Sequence, residues 1–94
     1  MSIVVRFPPS NVTKRQYDTV RNALTEAGDW PPAGCQLHVC FGDEQDIRVS
    51  EVWDSHEQLE AFGEKLRPRL EAAGIQPAGE PEVFEAHVVE TFKS

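Results

Sequence analysis

The sequence predicts an α+β domain of order βαββαβ, with one four-stranded antiparallel sheet and both helices on a single face. Three observations predict it. The stretch Gln36 to Leu59, QLHVCFGDEQDIRVSEVWDSHEQL, reads as a strand, an acidic turn, a second strand and a capped helix with no linker between them. Ahead of it lies a β-branched run followed by a capped segment with helical spacing of its apolar residues. Behind it, Glu82 to Phe92 supplies a last alternating run. A ferredoxin-like arrangement satisfies this connectivity.

Each element has a local cause. Ser2 to Phe7 is a short β-branched strand that ends at Pro8-Pro9, with Ile3, Val5 and Phe7 on one face and Val4 and Arg6 on the other. Ser10-Asn11 is turn chemistry. Thr13 and Gln16 form a capping box, in which the two side chains satisfy free amides at a helix start. Tyr17, Val20, Leu24 and Ala27 then repeat at three- and four-residue spacing until Gly28 closes the stripe. Trp30-Pro31-Pro32-Ala33-Gly34 can only be a stiff loop.

The hairpin strands are Cys35 to Phe41 and Ile47 to Trp53, joined through Gly42-Asp43-Glu44-Gln45. Asp54-Ser55 caps the second helix, whose buried stripe is Leu59, Phe62, Leu66, Leu70 and Ala73, and Gly74 ends it. Pro68 falls inside that pattern and predicts a kink or a split. Ile75 to Pro81 is a Pro/Gly loop. On the final strand, Phe84, Ala86 and Val88 share one face, and Val83, Glu85, His87 and Val89 the other.

Ninety-four residues make a single domain over 1–94, small enough that association with a second copy is an expected source of stability. A hydrophobic fraction of 39% with two Trp, five Phe and one Tyr sets the chain among globular proteins. Nine Lys and Arg against sixteen Asp and Glu give a net charge of -7, which repels phosphate backbones and anionic lipid. Nucleic acid and membrane surfaces are therefore not expected partners. No apolar run approaches a transmembrane length, and no basic region followed by an apolar stretch opens the chain as a secretory signal would. Cys35 and Cys40 sit on one strand, where disulfide distance is hard to reach, so reduced thiols in the cytoplasm are expected.

Face assignment decides which side chains can meet. With the four-residue loop, His38 pairs with Val49, and His38 and Cys40 share a face with Val49, Glu51 and Trp53. Leu37, Val39 and Phe41 then join Ser50 and Val52 under the helices. A loop of three or five residues would reverse this, because a one-residue slip moves every side chain to the other face. Helices on one face leave the other needing cover. Two such sheets meeting face to face would supply it, with the polar and aromatic residues toward the shared cavity, so a homodimer is expected.

The junction Val49-Ser50-Glu51-Val52-Trp53-Asp54-Ser55, the Leu59-x-x-Phe62 that follows it and the terminal strand resemble the dimeric α/β-barrel superfamily, and within it the small proteins like antibiotic-biosynthesis monooxygenases. The resemblance spans nearly the whole chain in element order. It implies a dimeric barrel and an activity drawn from cofactor-free oxygenation of aromatic polyketides, haem degradation or lactone isomerisation; many members have no assigned activity. Many relatives carry a histidine about two and a half turns beyond the Trp, and haem-degrading members use one near there to bind iron. The corresponding positions here are Phe62 and Gly63, so the haem reading loses its ligand.

Among the residues themselves, Glu51 and Trp53 stand out as a pair. A carboxylate in a partly apolar cavity can act as acid or base, and an indole offers a flat wall for an aromatic ring. The alternative is that Trp53 fills the core and Glu51 bonds a neighbouring strand. His38 and His87 are candidate bases, since an imidazole titrates near neutrality, or else satisfied sheet histidines. The catalytic candidates are thus His38, Glu51 and His87. Trp53, Cys40, Val49, Arg48, Tyr17 and Trp30 are candidates for contact with substrate, Arg48 through an anionic group and Tyr17 and Trp30 at the mouth. Cys40 reads better as a buried small hydrophobe than as a nucleophile in so acidic a chain. Tight Cys/His ligand spacing is missing and so is any phosphate-binding glycine loop, so no metal or other cofactor is expected.

Two functions compete at this level. One is a cofactor-independent monooxygenase-like or proton-transfer enzyme, an isomerase or cyclase included, acting on an aromatic or polyketide-like molecule in the dimer cavity. The other is a non-catalytic ligand-binding or stress-responsive dimer of the same fold.

Overall fold

In a computed structural model that describes residues 1–76 and 79–92, the chain runs β1 (Ile3–Arg6), α1 (Lys14–Glu26), β2 (Cys35–Asp43), β3 (Asp46–Trp53), α2 (His56–Ala72) and β4 (Glu82–Glu85). The order is the expected βαββαβ. The four strands form one antiparallel sheet in the order β2-β3-β1-β4. Residues 77 and 78 of the predicted Ile75–Pro81 loop lie outside the described residues, as do 93 and 94.

The helix starts follow their local chemistry. The Thr13 hydroxyl accepts from the Gln16 amide at 3.1 Å, and the Gln16 side chain accepts from the Thr13 amide at 3.0 Å, which completes the box that starts α1. Ser55 caps α2 by accepting from the Gln58 amide at 3.2 Å. Pro68 neither splits nor ends α2, which continues to Ala72. Pro68 and Glu64, four residues earlier, both face solvent, so water can satisfy the carbonyl that the missing N–H leaves free.

The hairpin is longer than its sequence suggests. Gly42 pairs with Ile47 and Asp43 with Asp46, so the loop is the two residues Glu44 and Gln45 instead of four. Gly42 has φ +105°, and a Cβ there would stand 2.9 Å from the Asp46 carbonyl oxygen, so only glycine fits this tip without a shift. Backbone bonds from Lys14 N to Glu44 O at 2.7 Å and from Ile47 N to Val12 O at 2.9 Å tie the tip to the β1–α1 connection. The pairing differs from the expected one by two residues, so His38 meets Glu51 and Cys40 meets Val49. An even slip preserves the faces, and the grouping of His38, Cys40, Val49, Glu51 and Trp53 holds.

The side on which the helices lie is reversed. They cover the His38–Glu51–Trp53 face, and Leu37, Val39 and Phe41 are exposed. β1 decides this. Ile3 lies opposite Trp53 and Val5 opposite Glu51, so the buried alternation of β1 extends the Trp53 face, and Val20 and Leu24 of α1 and Phe62 of α2 pack on it. The other face carries a row across all four strands: Leu37, Val52, Val4 and Phe84. The cavity that the polar residues line therefore lies within the single chain, between helices and sheet, and not between two sheets.

The last strand is shorter than predicted. β4 ends at Glu85, and Ala86 N donates to Ser2 O at 2.9 Å. Its partner β1 has only four residues, so a strand continuing to Phe92 would have nothing to pair with beyond that point. Among the described residues no helix is long and apolar enough to cross a membrane.

Candidate functional site

The site begins with Trp53, whose burial fixes everything attached to it. Trp53 is 0% exposed at the end of β3 and packs its ring 5.6 Å from that of Phe62 on α2. A buried indole N–H needs an acceptor, and Nε1 donates to Glu51 Oε1 at 2.9 Å. Trp53 and Glu51 are two apart on one strand and so project to the same side. Glu51 is itself only 4% exposed, and its other oxygen, Oε2, lies 2.6 Å from His38 Nδ1 across the β2–β3 pair. His38 Nε2 in turn lies 2.7 Å from the hydroxyl of Tyr17 on α1.

The hydrogen-bond inventory orders these protons. An indole N–H can only donate, so Oε1 accepts. With the carboxylate ionised, Oε2 accepts from Nδ1–H, and a neutral imidazole then keeps its lone pair on Nε2 for the Tyr17 O–H. This assignment rests on which groups can donate. The line Trp53–Glu51–His38–Tyr17 thus has a fixed direction, donors outside and the carboxylate within, and it ends on a phenol.

That end opens on a cavity of about 940 Å³ between the helices and the sheet, whose lining includes Tyr17, Arg21, Trp30, His38, Val49 and Glu51. Trp30 and His38 form a T-shaped pair at 89° and 4.9 Å between centroids, and Trp30 lies 6.4 Å from Phe62. Burial pushes the Tyr17 phenol above its usual 10.0, Cys40 and nearby acids adding to the effect and Arg21 opposing it. Tyr17 is accordingly protonated at neutral pH and donates.

The predicted site residues divide. His38, Glu51, Tyr17, Trp30 and Val49 line the cavity together. Trp53 does not reach it: the indole is sealed in the core and acts on the site only through Glu51, and Trp30 provides the aromatic wall. Cys40 is exposed, contrary to a buried reading, and lies outside the lining; partial burial followed by the charge of Asp18 raises its thiol. His87 follows β4 on an exposed segment and does not approach the cavity. Arg48 borders the cavity, with its guanidinium 3.6 Å from the Asp46 carboxylate.

The Tyr17–His38 bond was not foreseeable from local pattern, since it depends on how α1 is rotated over the sheet. Arg21 was also missed, although its place one helical turn after Tyr17 puts it on the same side of α1. Among the described residues, no group of three or more His, Cys, Asp or Glu side chains is gathered as a metal site would need.

Fold and site together define a small ferredoxin-like α+β protein with a mixed polar and aromatic cavity between its helices and its sheet. Solved structures with this fold confirm the likeness to the antibiotic-biosynthesis-monooxygenase-like proteins. A proposed antibiotic biosynthesis monooxygenase from Chloroflexus aurantiacus matches at 20% identity and TM-score 0.58, over 96% of this chain and 95% of that one. SnoaB, a cofactor-independent oxygenase from Streptomyces nogalater, matches at 18% identity and TM-score 0.59, over 94% and 93%. A further proposed antibiotic biosynthesis monooxygenase, from Deinococcus radiodurans, matches at 15% identity and TM-score 0.58 over the full length of both chains. No family model matches the sequence, and no curated protein matches it by sequence. At these identities the likeness is one of fold.

Proposed function

We propose that the protein is a cofactor-independent oxygenase or proton-transfer enzyme for an aromatic small molecule held in the cavity between helices and sheet. The observation that carries this reading is the hydrogen-bonded line from Glu51 through His38 to Tyr17, which delivers a base to the surface of an aromatic-walled pocket. A substrate with an acidic C–H beside a carbonyl gives its proton to the Tyr17 oxygen as the Tyr17 proton passes to His38 Nε2. The imidazolium so formed stands 2.6 Å from the Glu51 carboxylate, which stabilises it. Trp53 is a positioning residue, because its N–H holds the carboxylate in place.

The carbanion left in the pocket can be reprotonated elsewhere, which is isomerisation, or can react with dioxygen. In the second case the carbanion and O₂ form a C–O bond, a proton completes the hydroperoxide, and loss of water leaves a new carbonyl. One O₂ is consumed and one H₂O released per CH₂ converted to C=O. The likeness in fold to a cofactor-independent oxygenase supports this branch. The assembly we propose is a homodimer joined through the open sheet face, where Leu37 and Phe84 stand exposed at the two ends of an apolar row. Two free thiols suit a reducing compartment, and on that ground we assign the protein to the cytoplasm.

The test uses 1,8-dihydroxyanthrone, with oxygen consumption and quinone absorbance as readouts. Wild-type protein should accelerate oxygen uptake about 10²-fold or more over buffer, and His38→Ala should lose most of that gain. If oxygen uptake is not accelerated but deuterium exchange at the anthrone methylene is, the proton-transfer branch alone stands. If neither occurs, the catalytic reading fails and a ligand-binding role takes its place.

A further inference from the structure

Arg21 has no role in the proton relay, yet it lies over the aromatic wall. Its guanidinium carbon is 5.7 Å from the centre of the Trp30 ring, and it lines the same cavity as Tyr17 and His38. In a chain with sixteen acids against nine bases, Arg21 forms no ion pair among the described residues. Glu51, the acid of the relay, is bonded through one oxygen to Trp53 and through the other to His38, and forms no ion pair with Arg21. Of the other acids on the lining, Glu60 bonds His56. Glu64 and Glu80, the remaining acids on the lining, form no ion pair with Arg21 either, so among the described residues its N–H donors stand at a ring face without an acidic partner. The cation–π contact holds the guanidinium in place and leaves its N–H edge free to donate. Its charge is also felt at Tyr17, where it opposes the upward shift that burial causes.

We infer that Arg21 determines specificity, selecting an aromatic substrate that carries an anionic oxygen, with the ring on Trp30 and the oxygen on the guanidinium. Carboxylate and phenolate share this chemistry, an anionic oxygen in the plane of the ring that accepts a charge-assisted N–H bond, and the carboxylate can accept two in parallel. The inference rests on the proposed use of the cavity for aromatic molecules and adds the charge of the molecule. An anion at that place also lies beside the phenol that receives the substrate proton, so binding and chemistry share one end of the pocket.

The test is calorimetric titration of the wild-type protein and of Arg21→Gln with two probes of equal shape, 2-naphthoate and 2-naphthamide. Wild type should bind naphthoate about ten-fold or more tightly than naphthamide, the worth of one charge-assisted contact. Arg21→Gln should bring that ratio to about one, with naphthoate losing most of its affinity and naphthamide losing far less, since the charge of the guanidinium acts on the anion. Arg21 is exposed on a helix, and a circular dichroism melt of the variant checks that the fold is retained. If both probes bind wild type equally, or the ratio survives in Arg21→Gln, the inference is overturned and the aromatic cavity stands. If neither probe binds wild type, the cavity reading falls and this inference with it.

Discussion

The two faces of the sheet have similar apolar content and opposite fates. On the covered face Ile3, Val5 and Trp53 are buried with one carboxylate among them, whereas on the open face Leu37 is 48% and Phe84 51% exposed. The polar residues went inward and a row of apolar ones stayed outward. Hydrophobicity alone therefore does not orient this sheet. What orients it is the combination of Trp53, whose N–H finds an acceptor two residues away, with the two fully aligned β1 side chains beside it. A buried acid is tolerated on the covered face because both its oxygens are bonded. The open face has no such constraint, and the described residues of the chain leave its apolar row uncovered.

The largest expected effect comes from removing the anchor of the covered face. Trp53→Ala deletes a fully buried indole and leaves Glu51 short of a donor, and should cost about 3–5 kcal/mol in urea unfolding. Leu37→Ala on the open face should stay within about 0.5 kcal/mol in the monomeric state. Equal costs for the two substitutions would erase the distinction between the faces.

Much of this difference could be read from the sequence, but not its sign. The caps at Thr13 and Ser55, the glycines at 28 and 74 and the alternation in each strand are local signals, and the element order followed from them. The face groupings also held, because the hairpin slipped by an even number of residues. The covered face could not be chosen, since Leu37, Val39 and Phe41 compete with Val49 and Trp53 for the helices on nearly equal apolar terms. Only β1 breaks the tie, and its pairing with β3 is a long-range fact. For the same reason His38 and Glu51 could be grouped from alternation, whereas the bond from Tyr17 on a different element could not. His87 was misplaced because strand length is limited by the partner, and β1 ends too soon to carry it.

An intermediate effect is expected where the open face is charged. Leu37→Asp with Phe84→Asp places two carboxylates in the row Leu37, Val52, Val4 and Phe84 without touching the covered core. Wild type should sediment as a dimer at micromolar concentration and the double variant as a folded monomer, because burying unpaired charge at an interface opposes association. A wild-type monomer under the same conditions would mean that water alone covers this face.

The smallest expected effect tests the edge between the two faces, where the ladder shifts between Cys35 and Leu37. Burial, with the charge of Glu51 and to a lesser degree Asp54 behind it, raises the Cys35 thiol from 9.0 to about 11. The unfolded thiol loses its proton near pH 9, and the folded one holds it until near pH 11. Between those values the unfolded chain releases protons that the folded chain retains, so rising pH favours unfolding. The contribution is fully present below about pH 9 and gone once the pH has passed about 11. Cys40 and Tyr17 are raised as well and act in the same direction, so the comparison has to isolate one group. Melting temperatures of wild type and Cys35→Ser, followed from about pH 8 to about pH 11, should converge or cross as wild type loses this share. The change should be small, because the thiol is only partly buried and solvent screens it. Parallel curves across that window would show that neither burial nor the charge of Glu51 raises this thiol, and that the sheet edge at Cys35 is open to water.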